Sequence, residues 1–178
     1  MVGDKRVKNK AKKPRKGWRH HVKEWGLIVL IITVVSIAVD HYRTRDMPVV
    51  DLPSLAGQTL QGEWIDVLEE SKQAPVIVYF WATWCPACKF VTPTVDWFNG
   101  PYKVVGVSAT SGPAERVEKF MAGKETDFPN LNDPKGEILH RWGITATPTI
   151  VIIKDGKIAS TTTGVTTPIG LFARLVML

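Results

Sequence analysis

The sequence predicts an α/β fold, a mixed central sheet flanked by helices, carried behind an N-terminal transmembrane anchor. Three observations point there: strand-length apolar runs separated by helix-length stretches, a hairpin signal directly after the last run, and an uncharged apolar segment behind a dense basic head.

The 178 residues carry a formal charge of +6, but the excess is local. Residues 1–24 hold ten Lys or Arg against Asp4 and Glu24, a balance of +8, whereas 47–178 hold 11 basic and 13 acidic residues. The larger part therefore offers no electrostatic footprint for nucleic acid. A nucleic-acid arm is a rival reading of the basic head, and the segment that follows argues against it. Residues 25–39, WGLIVLIITVVSIAV, contain no charge and only Thr33 and Ser36 as weakly polar interruptions. A soluble core helix would show a polar face at a period of about 3.6 residues, and this run shows none. A span needs about 20 residues. Counting outwards gives an anchor over 25–42, with Lys23 and Arg43 free to snorkel and Trp25 and Tyr42 at the interfaces.

Ser36-Ile37-Ala38 also passes as a signal-peptide cleavage site, but 24 residues of flank are long for a signal peptide. Either way the basic head stays in the cytoplasm and the remainder is exported. In a bacterial cell the expected location is then the inner membrane, single pass, with the main domain in the periplasm. There a thiol pair can persist as a disulfide.

Residues 43–48 read as a tether and 49–178 as one domain, long enough for a single core and too short for two. The polar stretch to Thr59 contains Pro48 and Pro53, lacks a helical period, and suits first edge elements. Residues 75–82 (PVIVYFWA), 102–109 (YKVVGVSA) and 148–155 (PTIVIIKD) are nearly continuous in apolar character, which implies strands covered on both faces. Residues 86–99 read as a helix stopped at Gly100, 113–122 as a second helix before Gly123, and 135–142 as a short third. Asp155-Gly156 turns a hairpin into KIASTTTG. A closing helix over 167–178 places Leu171, Phe172, Leu175 and Val176 on its inner face.

Both cysteines fall in FWATWCPACK (80–89), where the first of these strands ends and its helix begins. First-turn amides and the helix dipole favour negative charge there, so the thiolate of Cys85 should be stabilised. Pro86, with no N–H to leave unpaired, suits the first turn, and Ala87 completes the intervening pair. Cys88 lies three positions on, on the same helical face and partly under the strand. Cys85 is then the exposed nucleophile and Cys88 the shielded thiol that attacks a mixed disulfide.

Other uses of the pair weigh less. A structural bridge around so small a loop adds little stability. A metal site needs further ligands, for which only His20, His21, His41 and His140 stand available, and His140 beside Arg141 reads as solvent-facing. A copper(I)-binding or copper-delivery module, using the two thiolates without redox turnover, is the alternative from another class. Downstream, Thr147-Pro148 directly precedes an apolar strand, and a proline there must sit at the strand start or on a bend. A cis bond would leave the Thr147 backbone free to pair with an incoming peptide, while an ordinary trans proline fits the same residues.

WCPAC after an apolar strand, TPT opening a later one and the KDGK turn resemble the thioredoxin superfamily. The anchor, LPSLAGQTL and FPNLNDPKGEILHRWGITATPTIVII are similar to its membrane-tethered TlpA, ResA and DsbE branch. More narrowly, VDHYR, VYFWATWCPACKFVTP, DFPNLNDPKG, ITATPTIV and TTTGVTT resemble the protein D group of the bacterial suppressor-of-copper-sensitivity cluster, over roughly residues 25–178. The resemblance implies a thioredoxin fold over 49–178, a nucleophile at Cys85, a resolving thiol at Cys88, a cis-proline at Pro148 and Trp84 packed beside the site. It implies no cofactor or metal beyond the redox-active disulfide, protein thiols and disulfides as partners, a membrane electron donor or acceptor, and a role in copper tolerance.

Two departures stand out. Thioredoxin carries a buried acid six residues before its first active-site Cys, where this chain has Tyr79, and the cytochrome-maturation reductases carry a Glu three residues after the second, where it has Val91. Nothing near Cys88 is then expected to compensate a charge on it, which weakens a haem-maturation role.

Overall fold

The computed structural model describes residues 23–28, 30, 31, 34, 35, 38, 39 and 52–178. The chain divides into two compact units, Met1–Ala38 and Val39–Leu178. In the first, the described residues from 23 onward are helical, and Trp25, Leu27, Ile28, Leu30, Ile31, Val34 and Val35 are all exposed. No helix among the described residues is long and apolar enough to cross a membrane. The expected tether over 43–48 lies outside the described residues, as do residues 1–22 of the basic head and part of the expected anchor.

The second unit is built on a five-stranded sheet. Its elements run β1 (Ala56–Gln58), β2 (Trp64–Asp66), α1 (Val67–Glu70), β3 (Val76–Trp81), α2 (Cys88–Trp97), β4 (Lys103–Ala109), α3 (Ala114–Ala122), β5 (Asn130–Asp133), α4 (Glu137–Arg141), β6 (Thr149–Lys154), β7 (Lys157–Thr163) and α5 (Pro168–Val176). The sheet order is β5-β4-β3-β6-β7, with β1 and β2 paired separately. Strands β3, β4 and β5 are parallel, and β6 and β7 join antiparallel.

β3 shows why the central runs are apolar throughout. Ile77, Tyr79 and Trp81 point into a core shared with Val91, Val95, Val117, Phe128 and Leu171 on the side of α2, α3 and α5. Val76, Val78 and Phe80 point into a second core with Leu55, Ile65, Trp142 and Ile144. Each fully buried aliphatic or aromatic side chain contributes about 1.5–3 kcal/mol, so both faces hold the strand in register. Gly106 of β4 is required by a close approach: a Cβ there would meet Asn130 Oδ1 and a Phe128 ring carbon at 2.5 Å. At the β6–β7 hairpin, Asp155 (φ 52°) and Gly156 (φ 70°) both adopt the left-handed conformation that a tight hairpin turn demands.

The structure corrects three expectations. β1 falls in the stretch expected to hold first edge elements, whereas β5 and the short elements β2 and α1 are additional to the strands and helices foreseen. The first long helix begins at Cys88, not at residue 86, so Pro86 lies in the turn before it and Ala87 is its N-cap. In α5 only Leu171 and Leu175 face the core; Phe172 and Val176 are 53% and 64% exposed. They line up with exposed Ile169 at helical spacing, forming a second apolar stripe that hydrophobicity alone does not separate from the first.

Candidate active site

β3 delivers the chain to a turn over residues 82–87, in which the Cys85 amide donates to the Ala82 carbonyl at 3.2 Å. Cys85 and Cys88 are joined as a disulfide, with Cα atoms 5.3 Å apart. The Cys88 amide, first of the helix, donates to Cys85 Sγ at 3.1 Å. It is one of the first-turn N–H groups that have no partner within the helix, so it offers a fixed dipole to charge on that sulfur. From the other side, the Thr147 carbonyl oxygen stands 3.5 Å from Cys85 Sγ, and the Thr147–Pro148 bond is cis. Pro148 precedes β6, whose pairing sets Thr149 opposite Phe80.

Cys85 is not exposed as expected. It is 3% accessible and Cys88 2%, and both belong to the apolar cluster under α2. The Thr147 backbone closes over the Cys85 sulfur and the disulfide ties it to the buried partner. The open surface beside it belongs to Trp84, 59% exposed, and to Pro86, while Ala87 is half-buried against the core. The Trp84 ring is nonetheless fixed, because its Nε1 donates to the Thr110 carbonyl at 3.1 Å.

Residues without a motif complete the surroundings. The Thr83 amide donates to Ser111 Oγ at 3.0 Å, Ser111 Oγ donates to the Ala109 carbonyl at 3.0 Å, and Asn132 Nδ2 donates to the Gly112 carbonyl at 3.1 Å. The turn 110–112 therefore braces the Thr83-Trp84 stretch. Its signal in the sequence is only Ser111-Gly112-Pro113, a turn signature that does not disclose what the turn holds.

Beneath the pair, the Thr92 hydroxyl donates to the Cys88 carbonyl at 2.8 Å. The Tyr79 hydroxyl lies 3.1 Å from Thr92 Oγ1 and 3.4 Å from the same carbonyl oxygen. Burial pushes the Tyr79 phenol well above its usual range, only partly offset by the Thr92 hydrogen bond, so it stays neutral and acts as a donor. Two hydroxyls thus converge on the backbone carbonyl of Cys88. His140 and Arg141 are exposed on α4, and no group of three or more His, Cys, Asp or Glu able to hold a metal occurs among the described residues. The chemistry these atoms support is thiol-disulfide exchange, with one sulfur facing a helix amide and a peptide carbonyl.

Comparison with known proteins agrees with that chemistry. The AhpC/TSA family matches residues 48–161. A thioredoxin-like protein of Haemophilus influenzae is 32% identical over 151 residues, covering 84% of this chain and 90% of the relative. Thiol-disulfide oxidoreductase ResA of Bacillus thuringiensis subsp. konkukian is 31% identical over 113 residues, covering 61% of this chain and 65% of the relative. Among solved structures, StoA from Bacillus subtilis superposes with a TM-score of 0.61 at 28% identity, covering 71% of this chain and 98% of StoA.

Proposed function

We propose, from the premise that this chain belongs to the AhpC/TSA family and has a thioredoxin-like fold, that it is a thiol-disulfide oxidoreductase working through Cys85 and Cys88 on protein partners. The observation that carries the reading is the Cys88 amide donating to Cys85 Sγ within the disulfide. It marks Cys85 as the sulfur whose thiolate is stabilised when the bond opens. In the reduced protein the Cys85 thiolate attacks one sulfur of a partner disulfide, forming a mixed disulfide and expelling the other sulfur as a thiolate that takes a proton. Cys88 loses its proton and attacks Cys85 Sγ, closing the Cys85–Cys88 bond and releasing the partner's second thiolate. Two electrons pass from the protein to the partner; the reverse sequence oxidises a partner dithiol. Thr147 offers its backbone to the partner chain beside the attacked sulfur, and the exposed face of Trp84 flanks it.

The finer reading places this domain on the periplasmic side of a bacterial inner membrane, held by residues 25–42, with a membrane electron donor or acceptor resetting the couple. The exposed apolar side chains of Trp25, Leu27, Ile28, Leu30, Ile31, Val34 and Val35 support the anchor, and the basic head supports the orientation. Protection of exported thiols in copper tolerance is supported by the motifs shared with the copper-sensitivity suppressor group.

Replacing Cys88 with Ser should trap partners on Cys85 as adducts that dithiothreitol dissolves, and the wild-type protein should reduce insulin disulfides. Tight one-to-one copper(I) binding by the reduced pair, with neither adducts nor insulin reduction, would instead establish the copper-module alternative.

A further inference from the structure

Tyr79 and Thr92 are two buried hydroxyl-bearing residues at the Cys88 backbone that the exchange steps leave unused. They come from different elements, β3 and α2, and are 0% and 6% exposed. A threonine bonding back to the carbonyl four residues earlier is common in helices. A second hydroxyl, brought to the same oxygen from a strand beneath the helix, is not explained by helix geometry. Pro93 sharpens the point: it has no N–H, so the carbonyl of Lys89 lacks its helical donor and the first turn of α2 has fewer backbone ties.

The oxygen on which they converge belongs to the residue that carries the resolving sulfur. Its partial negative charge opposes a thiolate on Cys88, and O–H dipoles aimed at it offset that opposition in a region where screening by water is weak. Neither hydroxyl is a base. Towards the Cys88 carbonyl each can only donate, while in the contact between the two hydroxyls one of them accepts.

We propose that Tyr79 and Thr92 are positioning residues for the resolving step, a neutral hydroxyl pair that holds the Cys88 carbonyl and makes the Cys88 thiolate easier to form. This rests on the oxidoreductase reading of the same site.

The test titrates the Cys88 thiolate by its ultraviolet absorbance in the full-length Cys85→Ser protein, with Cys85→Ser/Cys88→Ser subtracted to remove tyrosine ionisation. Tyr79→Phe, Thr92→Val and Thr92→Ser are then added to both proteins. Tyr79→Phe and Thr92→Val should each raise the Cys88 midpoint by about a half to one pH unit, the scale of one net hydrogen bond, and Thr92→Ser should leave it in place. With both cysteines present, the pH profile of insulin reduction should move the same way. Midpoints that coincide with the parent overturn the proposal. So does a Thr92→Ser shift as large as that of Thr92→Val, since side-chain shape and not the hydroxyl would then be the cause. If Tyr79→Phe fails to fold, the Thr92 pair decides alone. The titration needs no turnover, so a wild-type protein inactive towards insulin would sink the oxidoreductase reading without touching this result.

Discussion

The indole Nε1 of Trp81 donates to Oδ1 of Asn130 at 2.9 Å, joining β3 to β5 where neither residue is more than 1% exposed. The Asn130 amide nitrogen in turn donates to Ser108 Oγ at 2.9 Å and to the Leu131 carbonyl at 3.2 Å. Asn130→Ala strands the Trp81 N–H in an apolar core and should destabilise the fold by about 2–4 kcal/mol, read as a lower urea midpoint at unchanged slope. A loss under about 0.5 kcal/mol would mean that water replaces these bonds.

The two stripes of α5 separate cleanly by mutation. Leu171→Ala should lose about 2–5 kcal/mol through the cavity left beneath the helix. Phe172→Ala, on the exposed stripe, should lie within about 1 kcal/mol of the parent. Comparable losses at both positions would show that the outer stripe is covered in solution.

Asp96 gives a pH signature of its own. Partial burial and the neighbouring Asp127 carboxylate hold its carboxyl above the usual value of 3.8, against the opposing hydrogen bond from the Asp127 amide at 3.4 Å. A carboxyl with a raised folded-state pKa binds its proton more tightly in the native protein. Its ionised form therefore opposes folding at neutral pH, and this opposition fades as pH falls through the folded value. Asp96→Asn keeps an acceptor for the Asp127 amide and should be as stable as the parent or more stable at neutral pH, with the difference shrinking towards pH 3.8. A variant less stable than the parent at neutral pH contradicts this.

At the alkaline end the decisive group is Tyr79. Its phenol keeps its proton in the folded protein above the ordinary value of 10.0, while the unfolded chain releases it there. The native state then holds more protons, so stability should fall as pH rises beyond about 10. Tyr79→Phe should flatten that decline in thermal melts taken across the alkaline range, and parallel curves for the two proteins would rule it out.

The central strands were legible because burial on both faces writes a continuous apolar run, as in Val76–Trp81. β5 was not, since three of the four residues of Asn130–Asp133 are polar. Its Asn130 and Asp133 are buried because their side chains satisfy other groups, the latter accepting from the Glu137 and Leu139 amides. At the site, Cys85, Cys88 and Pro148 carry motif spacings that any reader can find. Tyr79, Thr92, Thr110 and Ser111 act through one or two hydrogen bonds each, for which sequence has no period, and the shielding of Cys85 depends on a loop 62 residues away.

That distance along the chain has a consequence for how the site keeps its dimensions. The sulfur of Cys85 and the carbonyl of Thr147 are brought together by the pairing of Phe80 with Thr149, so the β3–β6 ladder acts as a ruler between them. One residue of slippage would displace the loop by about 3.3 Å and turn every side chain of β6 to the wrong core. The connection between the two halves sets no length of its own. Extra residues among the exposed positions 122–125 would lengthen the thread and leave the ruler unchanged.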